Sequence, residues 1–80
     1  MSFTACITVG LKDGMLDPEA ITILKAINNL GFHAERFKVE QKFTVTFEAT
    51  NKDDAHAKAV SMCEQLLANP VIQRYKIEVF

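Results

Sequence analysis

From Phe3 to Leu11 the chain alternates, with Phe3, Ala5, Ile7, Val9 and Leu11 apolar and Thr4, Cys6, Thr8 and Gly10 between them. A period of two places the two sets on opposite faces of a strand, so one face is built for a core. Lys12-Asp13-Gly14 breaks the alternation, and Asp17-Pro18-Glu19 follows with an N-cap acceptor, a proline preset for the first helical turn and an acid at the positive end of the helix dipole. The period then changes: Ile21, Leu24, Ile27 and Leu30 recur at helical spacing, with Ile23 widening the stripe, until Gly31 supplies a C-terminal stop.

Beyond Gly31 the run from Phe32 to Val39 sets Phe37 and Val39 against charged neighbours, the pattern of a short exposed strand. A turn at Glu40 and Gln41 would join it as a hairpin to the clearest alternation in the chain, Phe43, Val45, Phe47 and Ala49 against Thr44, Thr46 and Glu48. Thr50, Asn51, Lys52 and Asp53 make a polar break with caps for a second helix, whose stripe reads Ala59, Val60, Cys63, Leu66 and Leu67. Asn69-Pro70 ends that helix. From Gln73 to Phe80, Tyr75, Ile77 and Val79 alternate with Arg74, Lys76 and Glu78 as a last strand.

The predicted order is strand, helix, strand, strand, helix, strand, over one domain spanning 1–80. This is the split βαβ pattern of the α+β class, ferredoxin-like or a close variant. An antiparallel sheet with both helices on one face is its solution, because every element has a single apolar side to bury. The opposite face, with Thr4, Cys6, Thr8, Thr44, Thr46, Lys76 and Glu78, is left open to water or to a second sheet. Association through that face or through the strand edges is expected, since an 80-residue chain buries only about 60% of its unfolded surface.

Composition sharpens this picture mainly by exclusion. With 49% hydrophobic residues, three Gly and two Pro, the chain has the make-up of an ordered domain. A net charge of -1, from nine basic and ten acidic residues, gives no electrostatic footprint for nucleic acid or an anionic membrane. No apolar run approaches the roughly 20 residues that span a bilayer, and the start lacks the pattern of a secretory signal, so a cytoplasmic location is expected. The two cysteines, Cys6 and Cys63, read as small buried hydrophobes in a reducing compartment.

Catalytic motifs are missing. Gly10, Gly14 and Gly31 form neither a P-loop nor a dinucleotide fingerprint. Among Cys6, His33, His56 and Cys63 only the last two are close in sequence, too few for a zinc site, and a cysteine in an apolar stripe is not an activated nucleophile. An acylphosphatase-like enzyme on this topology would want an arginine in the loop after the first strand, where this chain has Lys12. Two segments can serve contact: Lys12 to Pro18, readable as an interaction loop or as a plain turn and cap, and Leu66 to Ile72, readable as a partner surface or as packing under the sheet. The residues alone leave two functions open, an association module and a small-molecule-binding regulatory domain.

Two blocks narrow the choice. Val9-Gly10-Leu11-Lys12-Asp13-Gly14-Met15-Leu16-Asp17-Pro18-Glu19 closely resembles the N-terminal signature of the PurS family, the small subunits of phosphoribosylformylglycinamidine (FGAM) synthase. Met62-Cys63-Glu64-Gln65-Leu66-Leu67-Ala68-Asn69-Pro70-Val71-Ile72, followed by Tyr75 and Ile77-Glu78-Val79, is similar to the C-terminal signature, and Leu30-Gly31-Phe32 fits the family's helix end. The likeness runs essentially the full length. It departs at Gln41, where members commonly carry glycine before the lysine that corresponds to Lys42.

The resemblance implies a non-catalytic subunit of a three-part ligase in purine biosynthesis. A glutaminase subunit releases ammonia, and a large synthetase subunit, which would hold ATP and Mg²⁺, converts formylglycinamide ribonucleotide (FGAR) to FGAM. The small subunit, a homodimer or higher even oligomer, bridges the two and assists ammonia transfer, with no cofactor of its own. Its expected contacts are Lys12, Asp13 and Asp17 of the first loop, Lys42 of the hairpin, and Asn69 and Arg74 around the last helix end.

Overall fold

A computed structural model describes residues 1–80. Three strands form an antiparallel sheet: β1 (Ser2–Leu11) in the middle, β2 (Gln41–Glu48) on one side and β3 (Gln73–Val79) on the other. Ile7 sits between Phe43 and Ile77, and Thr8 between Lys42 and Lys76, so the odd positions of all three strands share one face and the β1 alternation transfers to its neighbours.

Helix α2 (Lys52–Met62) covers β1 and β3 on that face. Ala55, Ala59 and Cys63, one turn apart and fully buried, bring its backbone close to Ala5, Ile7 and Val9. Phe3, Phe43, Phe47, Leu67, Tyr75 and Ile77 ring this small core. Asn51 Oδ1 accepts from the Asp54 N–H (2.8 Å) and Asp54 Oδ2 from the Thr50 N–H (2.9 Å), a reciprocal cap that fixes where the helix starts.

The helix does not run on to Leu67 with a regular pitch. Cys63–Leu67 is a π-helical turn, and the change of phase leaves Leu66 83% exposed while Leu67 reaches the core. The expected stripe therefore holds at Ala59, Cys63 and Leu67 and fails at Leu66. Cys6 is also placed differently from expectation: it lies on the open sheet face, half-exposed beside Thr44.

Helix α1 (Pro18–Asn29) begins as the sequence dictates, with Asp17 Oδ1 accepting from Glu19 (3.1 Å) and Ala20 (3.3 Å) N–H groups. It ends in a Schellman motif: Gly31 takes φ +94°, its N–H donates to the Asn28 carbonyl (3.0 Å), and the Phe32 N–H reaches the Ile27 carbonyl (3.5 Å).

The main departure comes next. Residues 32–40 form neither helix nor strand, with His33 in the left-handed region at φ +52°, and join no ladder, so the sheet has three strands where the alternation predicts four. No turn forms at Glu40 and Gln41, and the arm leads directly into β2. Matching the apolar faces would put Val39 opposite Phe43 and leave Glu40-Gln41-Lys42 as a three-residue loop, a type that favours glycine at its left-handed position. This chain has none there. Ala20, Ile21 and Leu24 of α1 instead line one cleft with Phe37 and Val39 of the arm, away from the layer made by α2, and the expected stripe stays unburied at Ile21 and Leu30. The molecule is accordingly long, 51 × 24 × 14 Å with a radius of gyration of 16.1 Å, against about 12 Å for a compact chain of this length.

Candidate functional site

β1 leaves the sheet at the end where β2 and β3 enter it, and antiparallel pairing gathers the expected contact residues there. The loop after β1 is tied to the turn before β3 by the Lys12 N–H donating to the Ile72 carbonyl (2.9 Å). An Arg74–Asp13 ion pair at 3.4 Å crosses the same seam with both side chains largely solvated. Lys42 stands one row further in on the open face, opposite Thr8.

Asn69 builds the turn itself. Its Oδ1 accepts from the Val71 N–H (3.1 Å), its N–H donates to Gln73 Oε1 (2.7 Å), and its carbonyl accepts from Ile72 and Gln73. Asp17 is likewise occupied as the α1 cap. Lys12 and Lys42 make no ion pair and Asp13 and Arg74 pair only with each other, while Asn69 and Asp17 shape the backbone around them.

Apolar side chains accompany the charges. Leu16 is 82% and Val71 76% exposed at this end, and Met15 is exposed between them and α1. The loop, the first turns of α1 and the arm enclose a cleft of about 270 Å³ whose apolar lining includes Leu11, Ala20, Leu24 and Phe37. Apolar residues rimmed by separated charges are the make-up of a protein-contact surface. Charge and motif reasoning identify the polar members of this end. Leu16 and Val71 fall inside the two segments singled out for contact, but which of those segments' apolar side chains are exposed depends on where the two turns meet.

The titratable groups that shift lie elsewhere and have structural causes. The N-terminal ammonium, 3.1 Å from Glu48, holds that carboxyl below its usual value, and the Thr50 N–H does the same for Asp54. Burial, then the nearby Glu64, pushes the Cys63 thiol up, away from thiolate chemistry. No group of three or more His, Cys, Asp and Glu side chains converges on a point that could hold a metal, and no helix is long and apolar enough to cross a membrane.

Fold and site together define a small α+β domain with an exposed end of mixed apolar and charged side chains. The profile of the PurS family, described as phosphoribosylformylglycinamidine (FGAM) synthase, matches residues 4–80. The PurS subunit of Archaeoglobus fulgidus is 40% identical over 74 residues, covering 91% of this chain and 92% of that one. The crystal structure of Methanocaldococcus jannaschii PurS, described as one of the subunits of formylglycinamide ribonucleotide amidotransferase in the purine biosynthetic pathway, superposes with a TM-score of 0.86 at 34% identity, covering 98% and 95% of the two chains. A chain in the structure of PurLQS from Thermotoga maritima superposes with a TM-score of 0.90 at 26% identity, covering 100% and 99%. The chain belongs to the PurS family of FGAM synthase subunits.

Proposed function

We propose that this chain is the bridging subunit of FGAM synthase, holding the glutaminase against the large synthetase so that ammonia passes between them. The observation that carries this reading is the convergence at one end of the sheet: half-buried Lys12, exposed Lys42 and the solvated Asp13–Arg74 pair, beside exposed Leu16 and Val71. Such a surface binds and positions. Ammonia released into water at neutral pH is protonated and ceases to be a nucleophile, so a subunit that closes the seam between two active sites raises the yield of transfer without touching either reaction.

In this reading ATP and Mg²⁺ sit on the large subunit, and this chain contributes no ligand to them. It works in the cytoplasm as a homodimer or higher even oligomer, with Asn69 and Asp17 holding the backbone that presents the charged contacts.

Co-migration on size exclusion with the host's glutaminase and synthetase tests the assignment. The unmodified chain is expected in the complex, and Lys12→Ala combined with Arg74→Ala is expected to elute apart. A complex that forms equally well with the double variant contradicts the contact set.

A further inference from the structure

Leu16 and Val71 are the apolar side chains left most open where the loop after β1 meets the turn before β3, at 82% and 76% exposure. Neither joins the core, yet each sits on a fixed backbone. Leu16 runs directly into Asp17-Pro18, where Asp17 Oδ1 accepts from the Glu19 and Ala20 N–H groups and the proline ring sets the first residue of α1. Val71 follows Asn69-Pro70, where Asn69 Oδ1 accepts from the Val71 N–H itself and the Asn69 carbonyl accepts from Ile72 and Gln73. Lys12 joins the two turns: its N–H donates to the carbonyl of Ile72, next to Val71, and its carbonyl accepts from the N–H of Met15, next to Leu16 (3.2 Å).

We infer that Leu16 and Val71 are a pair of anchors that enter an apolar hollow on a partner subunit, and that a carboxylate of that subunit stands at the rim of the hollow against Lys12. The inference rests on the bridging reading and deepens it by naming the apolar half of the contact and the chemistry that receives it.

Backbone order and charge both point this way. On a mobile loop, a leucine and a valine would lose much of their contact energy to ordering the chain on binding. On turns already closed by side-chain and backbone hydrogen bonds that cost falls, so a larger share of the burial appears as affinity. Lys12 supplies the polar part. The residue is half-buried, and none of the acids near it in the loop and arm, Asp13, Asp17, Glu19 or Glu40, forms an ion pair with it. A partly desolvated ammonium without a counter-charge is matched by a carboxylate on the surface that receives it. Apolar anchors at the centre with charges at the rim are also the usual division within a protein interface.

Titration of the chain into the host's glutaminase, the host's synthetase and an equimolar mixture of the two reads the contact. Leu16→Ala and Val71→Ala should each weaken binding by about tenfold with the melting temperature unchanged. Leu16→Met, which keeps the volume, should bind almost as the unmodified chain does. The loss from Leu16→Ala should be the same at about 0.05 M and about 0.5 M salt, whereas the loss from Lys12→Ala should shrink at the higher concentration. An unmodified chain that binds in none of the three titrations overturns the bridging reading and the anchors together. Binding that both alanine variants match overturns the anchors alone, and so does a Leu16→Ala loss that disappears at high salt. A double alanine variant that binds as the unmodified chain does but sediments at a lower mass assigns the pair to a contact between copies and likewise overturns the inference.

Discussion

Arg74 and Asp13, 61 positions apart in sequence, meet at 3.4 Å and close the seam between the loop after β1 and the turn before β3. Both side chains are largely solvated, so the pair adds at most about 1 kcal/mol to stability. If its purpose is contact, Arg74→Ala should leave the melting temperature nearly unchanged while weakening binding to the glutaminase or the synthetase. Thermal melts paired with titrations against each partner subunit check this, and a large loss of stability with unchanged binding would show the opposite division of labour.

The phase of the second helix makes a second prediction. Ala59 is fully buried against β1 and Leu66 is almost bare. Ala59→Leu should cost about 1–3 kcal/mol by overpacking, and Leu66→Ala less than about 0.5 kcal/mol. Urea unfolding of the two variants reads the difference directly. A regular α-helix through Leu67, without the π turn, would make the Leu66 substitution expensive.

Helix caps give a third. Asn51→Ala removes the acceptor for the Asp54 N–H at the start of α2 and should cost about 1 kcal/mol. Gly31→Ala should cost a similar amount for a different reason, because φ +94° is strained for any residue with a Cβ. Denaturation midpoints of the two variants, with unchanged denaturant slopes, are the expected signature.

Acid should destabilise the fold through Glu48 and Asp54. Both carboxyls are held below their ordinary values of 4.5 and 3.8, Glu48 by the N-terminal ammonium and Asp54 by the Thr50 N–H. A depressed folded-state pKa gives stability that is fully present above the unfolded value and lost as pH falls through the folded one. Chemical denaturation between pH 7 and pH 3 should therefore show a plateau followed by a fall that begins below about pH 4.5. Asp54→Asn should shrink that fall, and a curve that the substitution leaves unaltered would remove Asp54 from the explanation.

How far the sequence could be read depended on the range of the interactions involved. The β1 alternation, the Asp17-Pro18 helix start and the Gly31 stop act within a few residues, and all appear in the structure as expected. Leu66 misled because a π turn changes the phase of a stripe without leaving a mark in composition. The apolar period could not reveal Ala55, since alanine carries too weak a signal even when it is fully buried. The run Phe32 to Val39 has strand chemistry and no strand neighbour within its own chain. Periodicity reports which side of a segment is apolar and is silent about whether a neighbouring strand lies within reach.

In the proposed bridging role this chain couples two reactions while performing neither. Formation of FGAM should be assayed with the host's glutaminase and synthetase, once with glutamine and once with ammonium as nitrogen donor, with and without this chain. The bridging account predicts that glutamine-dependent formation collapses when the chain is omitted while ammonia-dependent formation largely persists. Glutamine-dependent activity that is the same with and without the chain would contradict it.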